Sequence, residues 1–259
     1  MPKHVIALLA SRQKRNTYGL LSQVQALLSE QDIHVKIVNL HDVDLHDCLC
    51  GLHCLEKGGC VWQDGFSPLW DEIEAADGLI LASPVYVANY GATLKRWVDR
   101  AFVYVHRPVL AGKPVLAVCT TGGAYLATVC RQLLNVGEMM GMRRAGAVAR
   151  SSMSLAKPVK PGELRRFVRA VHRGPLGQSP TLTQVVTFFG AKLVSSFSPV
   201  DQAFGESATG TACSTCTSRR WAGSAPSLGC WIDCYCRSSG RRSSLAPRAQ
   251  ALVSLGSRL

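Results

Sequence analysis

Four cysteines stand within thirteen residues of this chain, Cys48, Cys50, Cys54 and Cys60, with His53 between them and Asp64 just beyond. Thiolates offered by one compact loop can surround an iron-sulfur cluster. A mixed set of Cys with His53 suits zinc instead, and unmetallated thiols satisfy the same spacing. A second group, Ser11-Arg12-Gln13-Lys14-Arg15-Asn16-Thr17, follows the apolar run Val5 to Ala10. Where a strand turns into a helix, unpaired backbone N–H groups and the positive end of the helix dipole face the connecting loop. The hydroxyls of Ser11 and Thr17, the Asn16 amide and the nearby cations can complete a phosphate cradle there. Ordinary helix capping by Asn16 or Thr17 explains the same residues. Neither GxGxxG nor GxxxxGK[ST] occurs, which argues against a dinucleotide fingerprint and an NTPase loop.

A third group begins where the apolar run Gly78-Leu79-Ile80-Leu81-Ala82 stops. The segment from Ser83 to Arg100 reads as the end of a buried strand followed by a Pro-fixed loop, which places Tyr86 and Asn89 at the strand's carboxyl edge. That edge is where open α/β sheets bind ligands.

The elements that must hold these groups alternate in type. Val5 to Ala10 is a continuous apolar run, and Leu20, Leu21, Val24, Leu27 and Leu28 then recur at helical spacing through 17–28. Ile33 to Leu40 reads as a second strand, and Trp70 to Ala75 as a helix before the third strand at Leu79 to Ala82. A helix is expected through Leu94 to Val105, a fourth strand at Val115 to Cys119, a helix through Ala124 to Met140 and a fifth strand at Ala145 to Ala149. Five strands with intervening crossovers imply a parallel sheet covered on both faces, a three-layer α/β/α sandwich. Beyond it, Gly162 to His172 reads as a basic surface helix and Leu182 to Leu193 as an amphipathic one.

Composition limits the alternatives. A chain of 259 residues with 47% apolar content can bury one substantial core. No run approaches the roughly 18 apolar residues of a membrane span, and Val5 to Ala10 is too short for a signal h-region, so the expectation is a cytoplasmic protein without a membrane partner. Eleven cysteines without a secretion signal point to ligation, redox chemistry or burial rather than a disulfide framework. The net charge of +12 invites a nucleic-acid reading, but half of it comes from the segment after Ser207, which has seven arginines, no lysine and one acid, Asp233. No nucleic-acid-binding motif accompanies it, so no nucleic-acid partner is expected.

That segment changes character altogether. Ser, Gly, Arg, Cys and Trp dominate 206–259, as in a GC-rich gene read out of frame, and the expectation is a domain over 1–205 followed by a frameshifted or disordered tail. A genuine extension is the alternative. Cys213-x-x-Cys216 and Cys234-x-Cys236 imitate half a metal site without an accompanying His, and ligation is not expected there. His106 and His172 are expected on the surface.

The order S-R-x-x-x-N-T, then A-D-G-L-I-L-A-S-P-V-Y-V-x-N, then L-K-x-x-x-D-R, then G-K-P with T-T-G-G resembles the flavodoxin-like NAD(P)H-dependent FMN reductases over about residues 3–205, closest to their iron-sulfur flavoprotein branch. The resemblance implies a flavodoxin-like strand order and FMN across the carboxyl ends of the strands. Ser11, Arg12, Asn16 and Thr17 would hold the phosphate. Pro84, Val85, Tyr86 and Asn89 would line the isoalloxazine, with Thr121, Gly122 and Gly123 under its pyrimidine edge. Glycines at the last two positions suit close approach of backbone donors to a ring. Lys95, Asp99 and Arg100 match family positions too and read as helix surface or subunit contact. The branch's cysteine pattern is C-x-x-C-x-x-C with a fourth Cys following; Cys48, Cys54 and Cys60 fit it, while Cys50 sits one residue early. The implied activity is electron transfer from NAD(P)H through FMN to a small-molecule or protein acceptor, in a homodimer or homotetramer, with a four-iron four-sulfur cluster as the variant reading. The rival from another class is a non-catalytic cysteine-rich redox sensor on the same fold.

Overall fold

The computed structural model describes residues 2–12, 15–57, 59–106 and 109–175. The expected tail, its cysteine pairs and the helix at 182–193 lie outside them, as does the expected domain end at 205.

Strands β1 (Lys3–Leu9), β2 (Ile33–Asn39), β3 (Gly78–Tyr86), β5 (Pro114–Thr121) and β6 (Arg143–Ser151) form one sheet in the order β2-β1-β3-β5-β6, every pairing parallel. A two-residue strand β4 (Asn89–Tyr90) hangs antiparallel from β3. The order is that of the flavodoxin-like doubly wound sheet. The helices are α1 (Asn16–Ser29), the short α2 (His53–Lys57), α3 (Phe66–Ala75), α4 (Ala92–Arg100), the single turn α5 (Val103–His106), α6 (Leu126–Met139) and α7 (Pro161–Arg173).

The continuous apolar runs exist because the central strands are covered on both faces. Along β1, Ile6 and Leu8 enter the core shared with α3, α4 and α6, while Val5, Ala7 and Leu9 enter the core shared with α1 and α7. Helix α6 approaches β5 so closely that a Cβ on Gly137 would stand 2.7 Å from Val115 Cγ1. Helix α7 is basic outside, but Leu164, Phe167, Ala170 and Val171 are buried, so it is a core helix rather than the surface helix expected from its charges. Its start is fixed by the buried Arg150 of β6, which donates to both Glu163 carboxylate oxygens at 3.0 and 2.9 Å, while Glu163 Oε1 also accepts Lys160 N–H. Of the two histidines expected on the surface, His172 is exposed and its Nε2 lies 3.0 Å from the Gln31 carbonyl oxygen.

Two further boundaries differ from expectation. The helix expected over Leu94 to Val105 breaks after Arg100 into α4 and α5, with turn residues at Ala101 and Phe102. Strand β3 does not stop at Ala82 in a Pro-fixed loop. It runs through Pro84, which pairs with Thr120 of β5, to Tyr86. Its pairing with β1 ends at Ala82, so Pro84 lies where β3 has a sheet neighbour on one side only, a position where a missing N–H is tolerated.

Candidate functional site

The chain leaves β1 for β2 on one side and returns to β3 on the other, which opens a crevice at the carboxyl ends of β1 and β3. Three loops meet its rim, after β1, after β3 and after β5. Of the residues expected to contact a cofactor, Ser11, Arg12, Gly122 and Gly123 lie on these loops, Asn16 and Thr17 at the start of α1, Pro84, Val85 and Tyr86 at the end of β3, Asn89 in β4 and Thr121 at the end of β5.

After β1, Ser11 is half-buried and Arg12 exposed. The N-cap of α1 is Arg15, with no side-chain cap hydrogen bond, so the capping explanation of Asn16 and Thr17 does not hold. Asn16 is exposed at the first helical position. Thr17 is buried, its Oγ1 2.6 Å from Thr120 Oγ1, a bond that ties the α1 terminus to the end of β5. His41, at the end of β2, and Thr93, near the start of α4, meet at 3.2 Å between Nε2 and Oγ1. Burial first, then Arg12, lowers the His41 pKa, with Arg96 adding to the effect. His41 and Thr93 thus meet where the charge of Arg12 is felt, and nothing in their sequence spacing announces it.

The loop after β3 is a two-residue hairpin. Val87 and Ala88 have φ of +46° and +60°, and Tyr86 pairs with Asn89. Such turns ordinarily use Asn or Gly, because a β-branched residue at positive φ is strained. The hairpin is braced from below by buried Ser83, whose Oγ donates to the Pro84 carbonyl and accepts the Gly91 N–H, both at 2.8 Å. A Cβ on Gly91 would approach the Ala10 carbonyl oxygen to 3.2 Å, so glycine lets the hairpin return close to β1. Tyr86 is 62% and Val87 fully exposed, and Pro84 and Val85 are partly buried.

After β5, the Thr121 hydroxyl donates to the Ala124 carbonyl at 3.0 Å and accepts the Gly123 N–H at 3.1 Å. A Cβ at Gly122 or Gly123 would meet no atom within 4 Å, so this rim stands open to a planar group. Tyr125 follows at φ +64°, 59% exposed. An open shelf of backbone, a tyrosine and a cation-bearing loop at a helix start fit an aromatic ring that carries a phosphate.

The cysteine loop is held separately. Its two ends, His46 and Asp64, are pinned together and to α4: Asp64 accepts the His46 N–H at 2.9 Å, and Arg100 donates to Asp64 Oδ2 and Oδ1 at 2.7 and 2.9 Å and to the His46 carbonyl at 3.0 Å. The Arg100 and Asp64 side chains are 0% and 1% exposed. Arg100 is thus not the helix-surface residue its position suggested; Lys95 and Asp99 are, paired with one another in the open. Burial would push the Asp64 carboxyl up, but hydrogen bonds from Arg100, His46 and Phe66 outweigh it and hold the carboxyl well below the usual range. Trp62 stacks on His46 with centroids 4.3 Å apart and donates to the Asp47 carbonyl. Beneath the loop, Tyr104 stacks on Trp70 at 3.5 Å, and burial pushes its phenol up to about 12.

The cysteines themselves divide. Cys54 is half-buried; burial pushes its thiol up, and Cys48 and Cys60 add to the effect. Cys50 is exposed at φ +53°, with Cys48, Asp99 and Lys95 as its neighbours. Four thiols suit a cluster in kind, yet among the described residues no three Cys, His, Asp or Glu side chains are grouped to hold a metal ion. His53 opens α2 and is exposed.

Residues 4–153 match the sequence profile of the family described as NADPH-dependent FMN reductase. An iron-sulfur flavoprotein of Archaeoglobus fulgidus is 37% identical over 103 residues, 39% of this chain and 46% of that protein. One from Methanocaldococcus jannaschii is 32% identical over 90 residues, 35% of this chain and 47% of its own. The chain spans about half the length of these curated relatives. Among solved structures, RosB with bound 8-demethyl-8-formylriboflavin-5'-phosphate superposes with a TM-score of 0.53 at 13% identity, covering 87% of this chain and 94% of that one. The flavoenzyme NAD(P)H:(acceptor) oxidoreductase FerB of Paracoccus denitrificans gives 0.50 at 19% identity, covering 66% and 98%. At such identities these two structures establish the fold alone.

Proposed function

The chain belongs to the NADPH-dependent FMN reductase family, and from that premise we propose that it is an FMN-dependent NAD(P)H oxidoreductase that passes electrons to a small-molecule or protein acceptor. The observation that carries this reading is the convergence of three loops on the switch-point crevice, one with cations at a helix start and one with an open glycine shelf. Ser11, Arg12, Asn16 and Thr17 would hold the phosphate; Pro84, Val85, Tyr86 and Asn89 would line the ring; Thr121, Gly122 and Gly123 would support its polar edge. FMN bound there supplies hydride acceptance and one- or two-electron donation. The chain's own part is placement. Ser83 and Thr121 fix the two ring-lining loops through backbone bonds, Thr17 fixes the helix start against β5, and the exposed Tyr86 and Tyr125 would pack on a bound ring. No side chain is assigned as general acid or nucleophile.

Purified protein is expected to be yellow or to take up FMN one to one, identified by chromatography of the denatured supernatant. Neither bound flavin nor FMN affinity would leave the cysteine-rich sensor ahead. The names of the relatives favour the electron-carrier variant with a cluster at the cysteine loop; the position of Cys50, one residue early for that branch's cysteine pattern, speaks against a four-thiolate set. Iron and acid-labile sulfide measured after anaerobic purification separate the two. A cytoplasmic homodimer or homotetramer remains part of the proposal, in keeping with exposed Tyr86, Val87 and Tyr125 at the crevice rim and with the absence, among the described residues, of a helix long and apolar enough to cross a membrane. Sedimentation of the flavin-loaded chain checks the assembly.

A further inference from the structure

Cys48 and Cys50 meet within one tight turn of the cysteine loop. Cys50 Sγ reaches back to the Cys48 carbonyl oxygen at 3.9 Å, and the Cys50 N–H donates to Cys48 Sγ at 3.4 Å. Only Leu49 separates them, and the turn is made by placing Cys50 at φ +53°, a conformation a non-glycine residue adopts at a cost. Cys50 is exposed and Cys48 half-buried. The loop that carries them is anchored at both ends by Asp64 and Arg100, so the pair is presented from a fixed base rather than from a loose strand of chain.

We propose that Cys48 and Cys50 form a solvent-facing C-x-C dithiol that closes reversibly to a disulfide in exchange with small disulfides of the glutathione class. Cys50, the accessible thiol, attacks one sulfur of the oxidant as its thiolate. The oxidant's S–S bond breaks, and one glutathione thiol leaves and takes up a proton. Cys48 then attacks the Cys50 sulfur of the mixed disulfide; the Cys48–Cys50 bond forms, and the second glutathione leaves and takes up the proton lost by Cys48. Two protein thiols are oxidised and one disulfide is reduced. Exposed and strained disulfides are the labile, more oxidising ones, so the couple responds to mixtures that leave structural disulfides untouched. The site draws nothing from the crevice loops, and the proposal therefore stands or falls apart from the flavin reading.

The test equilibrates the full chain with oxidised and reduced glutathione mixtures, quenches with acid, alkylates, and maps the tryptic segment 37–57, which holds Cys48, Cys50 and Cys54. The expected result is a segment two hydrogens lighter, with Cys54 alkylated, rising from none to complete across the series. Cys54→Ser is expected to leave that titration in place, while Cys48→Ser converts Cys50 to a stable mixed disulfide with glutathione. Full alkylation of Cys48 and Cys50 in every mixture would overturn the proposal, as would a bridge from either to Cys54 or Cys60. So would reconstitution with ferrous iron and sulfide that protects all four thiols together. FMN content measured on the same samples reports the flavin reading independently.

Discussion

The crevice loops and the cysteine loop are positioned by different physics. The crevice is a product of topology: strand ends deliver its loops, and the fastening is local, through Ser83, Thr121 and the Thr17–Thr120 pair. The cysteine loop has no strand beneath it. It is held by a fully desolvated ion pair whose members are 36 positions apart, supported by the His46–Trp62 stack. A site on strand ends can lose any one side chain and keep its shape, whereas a loop fastened by one buried pair stands or falls with that pair.

Breaking the pair is expected to have the largest effect. Arg100→Met leaves a carboxylate buried without its partner, a loss of about 3–5 kcal/mol, read as a shift in urea midpoint; Asp64→Leu added to it recovers most of the loss, because an apolar pair of similar volume removes both desolvation penalties. FMN affinity is expected to survive in the folded double variant. If it vanished, the two regions would be one site. Acid should weaken the same pair gradually. The Asp64 carboxyl is depressed below its ordinary 3.8, so its stabilisation is complete above that value and is lost as pH falls through the depressed folded value. Asp64→Asn is expected to flatten this part of the acid-unfolding curve.

The reverse dissociation belongs to the crevice. Gly123→Val introduces atoms where a Cβ meets nothing within 4 Å, so unfolding should barely change while FMN affinity falls at least tenfold, about 1.4 kcal/mol. A stable variant that binds FMN normally would remove the shelf from the site. Thr17→Val should cost about 1 kcal/mol through one lost buried bond, and Thr120→Val added to it should cost little more, measured by denaturant titration. Smallest of all, replacing Val87-Ala88 by Asn-Gly is expected to stabilise the protein by about 0.5–1 kcal/mol, because both residues then tolerate positive φ.

What the sequence disclosed follows the same division. The continuous apolar strands, the sheet class and the three crevice loops were readable, since burial on two faces and strand-to-helix turns leave local patterns. The hairpin at Val87-Ala88 was not, because neither residue advertises a turn. The break after Arg100 has no Gly or Pro to mark it. Arg100 looked like surface because its partner Asp64 is distant in sequence, and α7 looked like surface because its charges outnumber the few apolar residues on its buried face. Cys50 was legible as displaced by one position, but not as the partner of Cys48, which depends on a left-handed turn that side-chain types do not announce.

The crevice also carries a history of its own making. Val5 of β1 pairs with Gly78 of β3, and the neighbouring His4–Asp77 bond spans 73 positions, a longer closure than the β1–β2, β3–β5 or β5–β6 pairings require. Closing so long a chain is paid in entropy before its contacts give any return, which makes it a slow event in assembly. Until it happens there is no cleft, and a flavin has nothing to grip. Bound cofactor should accordingly lengthen the lifetime of the finished fold by slowing its opening while leaving the rate of its formation nearly unchanged.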